Sequence, residues 1–464
     1  MVFSSLPFLF CYLVAVLLVY YLLPRKLKNL CLFVFSILFY GFGEPVFVLL
    51  MLFSVTVNFI AGLLIDRYRE KRGLKKGLLI LCILINLGLL GYFKYAVFAG
   101  ELLAKLPIFA GLALPEIALP IGISFYTFQI LSYIIDVYKE KCPVQRSFIS
   151  FGTYVALFPQ LIAGPIVRYV DVERQLNERK ETLPLFERGA KLFLVGLAKK
   201  VLIANQMGLL WNSIKGDPAS GLVGSWVGII AFTLQIYFDF SGYSDMARGL
   251  GNCFGFAFVK NFDYPYISQS ITEFWRRWHI TLSSWFREYV YIPLGGNRKG
   301  KARQILNLAI TWLATGLWHG ASLNFVLWGA YFCVLLILEK FLLLPVLKKL
   351  PAALRHLYAL FFIILGWVIF DFTEFDSMLG FFIRLFTLQS GILGPEARYM
   401  VLSFLPLLAV GIFACLPLTK ALYRKMEAMR FGGLLQAIAA AAVMLLSVAA
   451  LASSGYNPFL YFRF

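Results

Sequence analysis

Runs of about twenty apolar residues, set apart by short basic segments, recur along almost the whole chain. A bilayer offers backbone amides no water, so a spanning segment must satisfy its own hydrogen bonds. Runs of this length do so as helices. The 464 residues are 60% hydrophobic and 14% charged, with a mean hydropathy of +0.78. A soluble domain of this size cannot hide that much apolar surface. The expected fold is all-α: a polytopic membrane protein with roughly eleven transmembrane helices, plus re-entrant and interfacial helices, around a central tunnel. No repeat or soluble domain boundary interrupts it, so residues 1–464 are expected to form one integral membrane domain, with its functional core at about 119–345.

The formal net charge is +19. The basic residues fall in loops between apolar runs, which is the positive-inside pattern and not a nucleic-acid surface. Anionic membrane lipid or a phosphorylated cofactor would also meet this excess. Residues 3–23, 30–43, 46–65 and 77–98 read as the first spans, with a turn at Gly41–Pro45. The first lacks a basic start and has Arg25, Lys26 and Lys28 behind it, so it reads as a retained span with its N-terminus outside. Residues 99–118, broken by Pro107 and Pro115, read as an outer-surface or re-entrant piece. Residues 148–167, with Pro159, Gly164 and Pro165 and basic flanks, read as a hairpin entering and leaving on the cytoplasmic side. Further spans are expected at 119–138, 189–212, 222–250, 304–318, 322–344, 357–370, 400–418 and 432–452. The section 251–303 is expected in the cytoplasm and the tail Tyr456–Phe464 outside. The seven cysteines show no metal-type spacing and sit mostly in apolar runs, so neither a disulfide framework nor a metal site is expected.

Two of the three histidines carry the chemical interest, and each follows a tryptophan. Read as one helix, Thr272–Tyr291 places Phe274, Trp278, Leu282, Trp285 and Tyr289 on one stripe and its charges opposite, an interfacial helix. His279 sits at the edge of that stripe, either as a site residue or as an interfacial histidine that caps or snorkels. His319 lies between Gly316 and Gly320, and its nearest charged neighbours in sequence are Arg303 and Glu339. An ionisable group so isolated in an apolar segment serves a function or bonds a neighbouring helix. A neutral imidazole suits a general base. His356, beside Arg355 at a span boundary, reads as interfacial.

The turn after Pro293 carries Gly295, Gly296, Arg298 and Lys299. Its amides and cations suit phosphates, although no Walker spacing is present, and an ordinary basic loop would look the same. Gln235, Asp239, Ser241, Tyr243 and Asp245 make 235–245 polar for a span. With Trp318 they are candidates for a tunnel wall, or for internal helix–helix bonds. No nucleophile elbow or H-E-x-x-H is present, which points to direct transfer and away from a chain-borne covalent intermediate.

At IYFDFSGYSDMARGLG (236–251), NFDYPYISQSITEFWRRWHITLSSWFREYVYIPLGGNR (261–298), GLWHGAS (316–322) and NPFLYFRF (457–464) the chain resembles the membrane-bound O-acyltransferase family, closest to its bacterial alginate O-acetyltransferase branch. LPIGISFYTFQ (119–129) and FPQLIAGPI (158–166) also look like family segments. The resemblance implies His319 as the catalytic histidine and His279 as its companion. It implies no bound cofactor, with acetyl-CoA as the co-substrate reached from the cytoplasm. It implies an extracytoplasmic acetyl-transferring partner protein, a polysaccharide acceptor and residence in a bacterial cytoplasmic membrane. The chain departs from the family pattern after the second histidine motif, where Leu323 and Phe332-Cys333 stand in place of Trp and Tyr-His-Gly. D-alanyl transfer toward teichoic acid and a transporter or flippase with His319 as a proton relay are the alternatives.

Overall fold

The structure is a computed structural model. It describes residues 2–109, 116–162, 164–453, 455–457 and 459–460. Among these, nine helices are long and apolar enough to cross a membrane. In chain order the helices are α1 Phe8–Leu22, α2 Arg25–Gly43, α3 Phe47–Arg67, α4 Arg72–Ala104, α5 Ile123–Tyr138, α6 Phe148–Ala156, α7 Phe158–Leu161, α8 Tyr169–Glu178, α9 Leu183–Gly216 and α10 Gly221–Cys253. They continue with α11 Ile271–Arg277, α12 Ile280–Phe286, α13 Gly300–His319, α14 Leu323–Leu347, α15 Ala352–Asp371, α16 Phe375–Phe386, α17 Pro395–Ala414, α18 Leu418–Glu427 and α19 Gly432–Ser453. The nine are α2, α3, α4, α9, α10, α14, α15, α17 and α19. The remaining expected spans, α1, α5 and α13, are helical but shorter or more polar. Broad apolar faces stay uncovered, as on α19 at Leu434, Ile438 and Leu445. Such surface belongs against lipid, and the chain is a multi-pass membrane protein.

The chain divides into two compact units. The first comprises Met1–Phe193 and Ser244–Val259. Within it α3 crosses α5 where Gly62 lies against Tyr133, so close that a Cβ there would stand 2.8 Å from the phenol oxygen. Asn58 on α3 and Asn86 on α4 exchange hydrogen bonds of 2.8 and 3.1 Å, the usual way to bury amides between spans. Arg179, after α8, donates to Tyr20, Asn29 and the carbonyl of Phe254, which ties α1 and α2 to the end of α10. Within the stretch 148–167, Phe148–Ala156 and Phe158–Leu161 are two short, largely buried helices broken at Leu157, the form tolerated for broken backbone when protein covers it. Part of 99–118 continues α4 as helix to Ala104, and 110–115 lie outside the described residues.

The second unit comprises Leu194–Tyr243 and Lys260–Phe464. Its centre is the hairpin of α13 and α14. A Cβ on Gly316 would fall 2.3 Å from the carbonyl oxygen of Phe325, and one on Gly329 would fall 2.5 Å from that of Trp312. Only glycine permits this crossing, and the crossing fixes the end of α13. Beside it, Lys215 of α9 pairs with Asp371 of α15 at 2.6 Å, and Trp211 Nε1 donates to the same carboxylate.

Candidate functional site

His319 is the last residue of α13, and Gly320 leaves the helix in extended geometry. Its imidazole is buried, with ring centroids of Trp318, Trp328 and Phe370 at 5.0, 4.9 and 5.4 Å. It lines a largely apolar cavity. The other walls are Ile236, Phe240, Trp278, Trp328, Trp367, Phe370, Phe459 and Leu460, with Asp239. Asp239 faces Lys200 at 2.6 Å and accepts the Leu460 amide at 2.8 Å. An apolar chamber with few polar groups is the usual form of a small-molecule site.

The expected single helix over 272–291 is two helices. They are separated by Trp278 and by His279, whose backbone is left-handed at φ 44° and ψ 53°. Asn261 causes the break. Its carbonyl takes the Ile280 amide at 2.9 Å, and its side-chain oxygen takes the Thr281 amide at 3.2 Å, so the helical ladder cannot run through. Ser270 and the buried carboxylate of Glu339 hold the first turn of α11 through the amides of Glu273, Ile271 and Thr272. A left-handed non-glycine residue costs about 1 kcal/mol or more and persists where its surroundings enforce it.

The same asparagine sets the tautomer of His279. The Thr281 N–H is an obligate donor, so the asparagine atom facing it is oxygen. That oxygen also accepts from Thr281 Oγ1 at 2.9 Å and lies 3.2 Å from His279 Nδ1. Nδ1 therefore carries the proton and donates, leaving a lone pair on Nε2. Nε2 is buried with no hydrogen-bond partner among the described residues. Burial pushes the imidazole pKa down to about 3, so the ring is neutral at physiological pH. The ring packs on Phe240 at 4.7 Å and Trp318 at 5.7 Å. Trp318 thus lies between the two histidines, touching both.

Of the other residues singled out in the sequence, Asp239 lines the cavity and Tyr243 stacks on Phe459, a cavity wall, at 4.8 Å. Gln235 and Ser241 are buried but do not line it. Asp245 pairs with Arg248 at 3.3 Å and belongs to the first unit. Gly295 and Gly296 have positive φ of 110° and 56°, and the Gly296 carbonyl is held by Asn307 at 2.9 Å. Arg298 and Lys299 stand exposed on that anchored turn, away from the cavity lining. The site also takes in Lys200, Asn261, Phe459 and Leu460, which the sequence reading does not single out one by one. Lys200, a cation in an apolar run, was the visible signal among them.

A family model for the membrane-bound O-acyltransferase family matches residues 138–390. Among curated proteins, the chain is 38% identical to the probable alginate O-acetylase of Azotobacter vinelandii, over all of both chains. It is 33% identical to the peptidoglycan O-acetyltransferase of Helicobacter pylori, over 82% of this chain and 78% of that one. It is 27% identical to the teichoic acid D-alanyltransferase of Bacillus subtilis, over 57% of this chain and 76% of that one.

Proposed function

Because this chain belongs to the membrane-bound O-acyltransferase family, we propose that it moves an acetyl group from cytoplasmic acetyl-CoA across a bacterial cytoplasmic membrane for O-acetylation of an extracytoplasmic polysaccharide. The chain is an O-acyltransferase, which sets aside a transporter without acyl chemistry. The observation that carries the reading is His319 in the wall of a largely aromatic cavity.

In this reading the acceptor hydroxyl gives its proton to a nitrogen of His319 as its oxygen attacks the thioester carbonyl. The C–O bond forms, the C–S bond breaks, and the proton passes from the imidazolium to the departing CoA sulfur. Holding both partners beside one base supplies much of the rate gain. His279 stays neutral and keeps its Nε2 lone pair for a donor on the bound partners. Gly295, Gly296, Arg298 and Lys299 receive the CoA phosphates from the cytoplasm. The acceptor comes from outside, as a hydroxyl of the glycan or of a secreted acetyl-transferring partner. D-alanyl transfer ranks second: that likeness covers 57% of the chain at 27% identity, against 38% over the whole chain for the alginate relative.

The test is release of free CoA from acetyl-CoA by the purified protein with its partner and glycan. Wild type is expected to release CoA, and His319→Ala to lose about two to four orders of magnitude while still inserting and accumulating. Release by His319→Ala at the wild-type rate refutes the assignment.

A further inference from the structure

One side of the cavity comes from the far end of the chain. Tyr456 accepts a hydrogen bond from Asn212 at 2.8 Å, and Asn457 accepts one from Asn205 at 3.2 Å. The Leu460 amide donates to one oxygen of Asp239, whose other oxygen faces Lys200 at 2.6 Å. Both charged side chains are no more than 4% exposed. Two ions are costly to bury, and they persist where each is paired and its remaining oxygens and protons are used. This pair grips one main-chain amide and so fixes where Phe459 and Leu460 sit. Phe459 is further held by Tyr243 stacked at 4.8 Å and by Lys200 Nζ at 5.9 Å from its centroid.

The cavity has two ionisable members, and Asp239 is spent on Lys200 and Leu460. His319 packs against the rings of Trp318, Trp328 and Phe370, and the remaining described walls are aromatic or aliphatic. CoA and a sugar hydroxyl are polar, so the apolar end of the acyl group is the part of the reactants that such walls suit. We propose that Phe459 and Leu460, positioned by the Asp239–Lys200 pair, form the wall that limits the acyl group to a short chain. This rests on the acyl-CoA reading above and adds a specificity-determining role for the C-terminal segment.

The experiment uses the full chain in lipid with its partner, measuring CoA release from acetyl-, propionyl- and butyryl-CoA. Variants are Phe459→Ala and, in case that protein folds poorly, Leu460→Ala. The readout is the ratio of kcat/KM for butyryl to that for acetyl, which does not depend on how much protein is folded. Wild type is expected to favour acetyl. Shortening the wall is expected to raise the ratio about tenfold or more, since a methylene in an apolar pocket changes discrimination by about 10- to 200-fold. Butyryl used as readily as acetyl by wild type, or a ratio unchanged in both variants, overturns the proposal. A wild type that releases no CoA from any of the three overturns the acyl-CoA reading, and this inference with it.

Discussion

At the scale of single residues, Asn261 governs the polar half of the site. It breaks the helix, forces the left-handed turn and leaves His279 no tautomer but Nδ1–H. Asn261→Leu should strand the buried Thr281 amide and cost about 1–3 kcal/mol, read as a lower melting temperature in detergent. The neutral ring also has a pH signature. Its folded pKa of about 3 lies below the unfolded value near 6.5, so the unfolded chain binds the proton first as pH falls. Stability is intact above about pH 6.5 and declines below it. From pH 7 to 5 the wild type should lose about 2 kcal/mol more than His279→Gln. Parallel pH profiles for the two proteins would remove the buried neutral imidazole from the account.

At the scale of elements, the α13–α14 hairpin is a glycine crossing that carries a histidine at its end. Gly316→Ala drives a methyl into the Phe325 carbonyl, a backbone atom that cannot step aside, and should lower both melting temperature and activity. Gly433→Ala, where a Cβ meets nothing within 4 Å, should leave stability unchanged or raise it by up to about 1 kcal/mol. The exposed turn after Pro293 is a second element with its own test. Replacing Arg298 and Lys299 by Ala should raise KM for acetyl-CoA more than it lowers kcat, because phosphate contacts change little during reaction. Added salt should weaken the wild type more than the variant. An unchanged KM returns this turn to an ordinary basic loop. The spans themselves were legible in the sequence, since length and hydropathy suffice for them. The break at His279 was not: the apolar stripe runs through it at helical period, and what stops the helix is a residue upstream at Asn261.

At the scale of the molecule, long-range pairs decided what could be read in advance. His319 stood out because it is chemically isolated along the chain, and His279 because it follows a tryptophan at the edge of an apolar stripe. Lys200 makes sense only beside Asp239, and Leu460 meets the same carboxylate from 221 residues away. No local pattern records either contact. In the proposed function the acyl group crosses beside His319 while CoA stays behind. This crossing is tested most directly in sealed vesicles with acetyl-labelled CoA on the cytoplasmic face and partner and glycan on the other. The expected result is labelled acetyl on the outer acceptor, CoA retained inside, and no labelled acceptor with His319→Ala. CoA appearing outside, or acceptor labelled equally by His319→Ala, would contradict it.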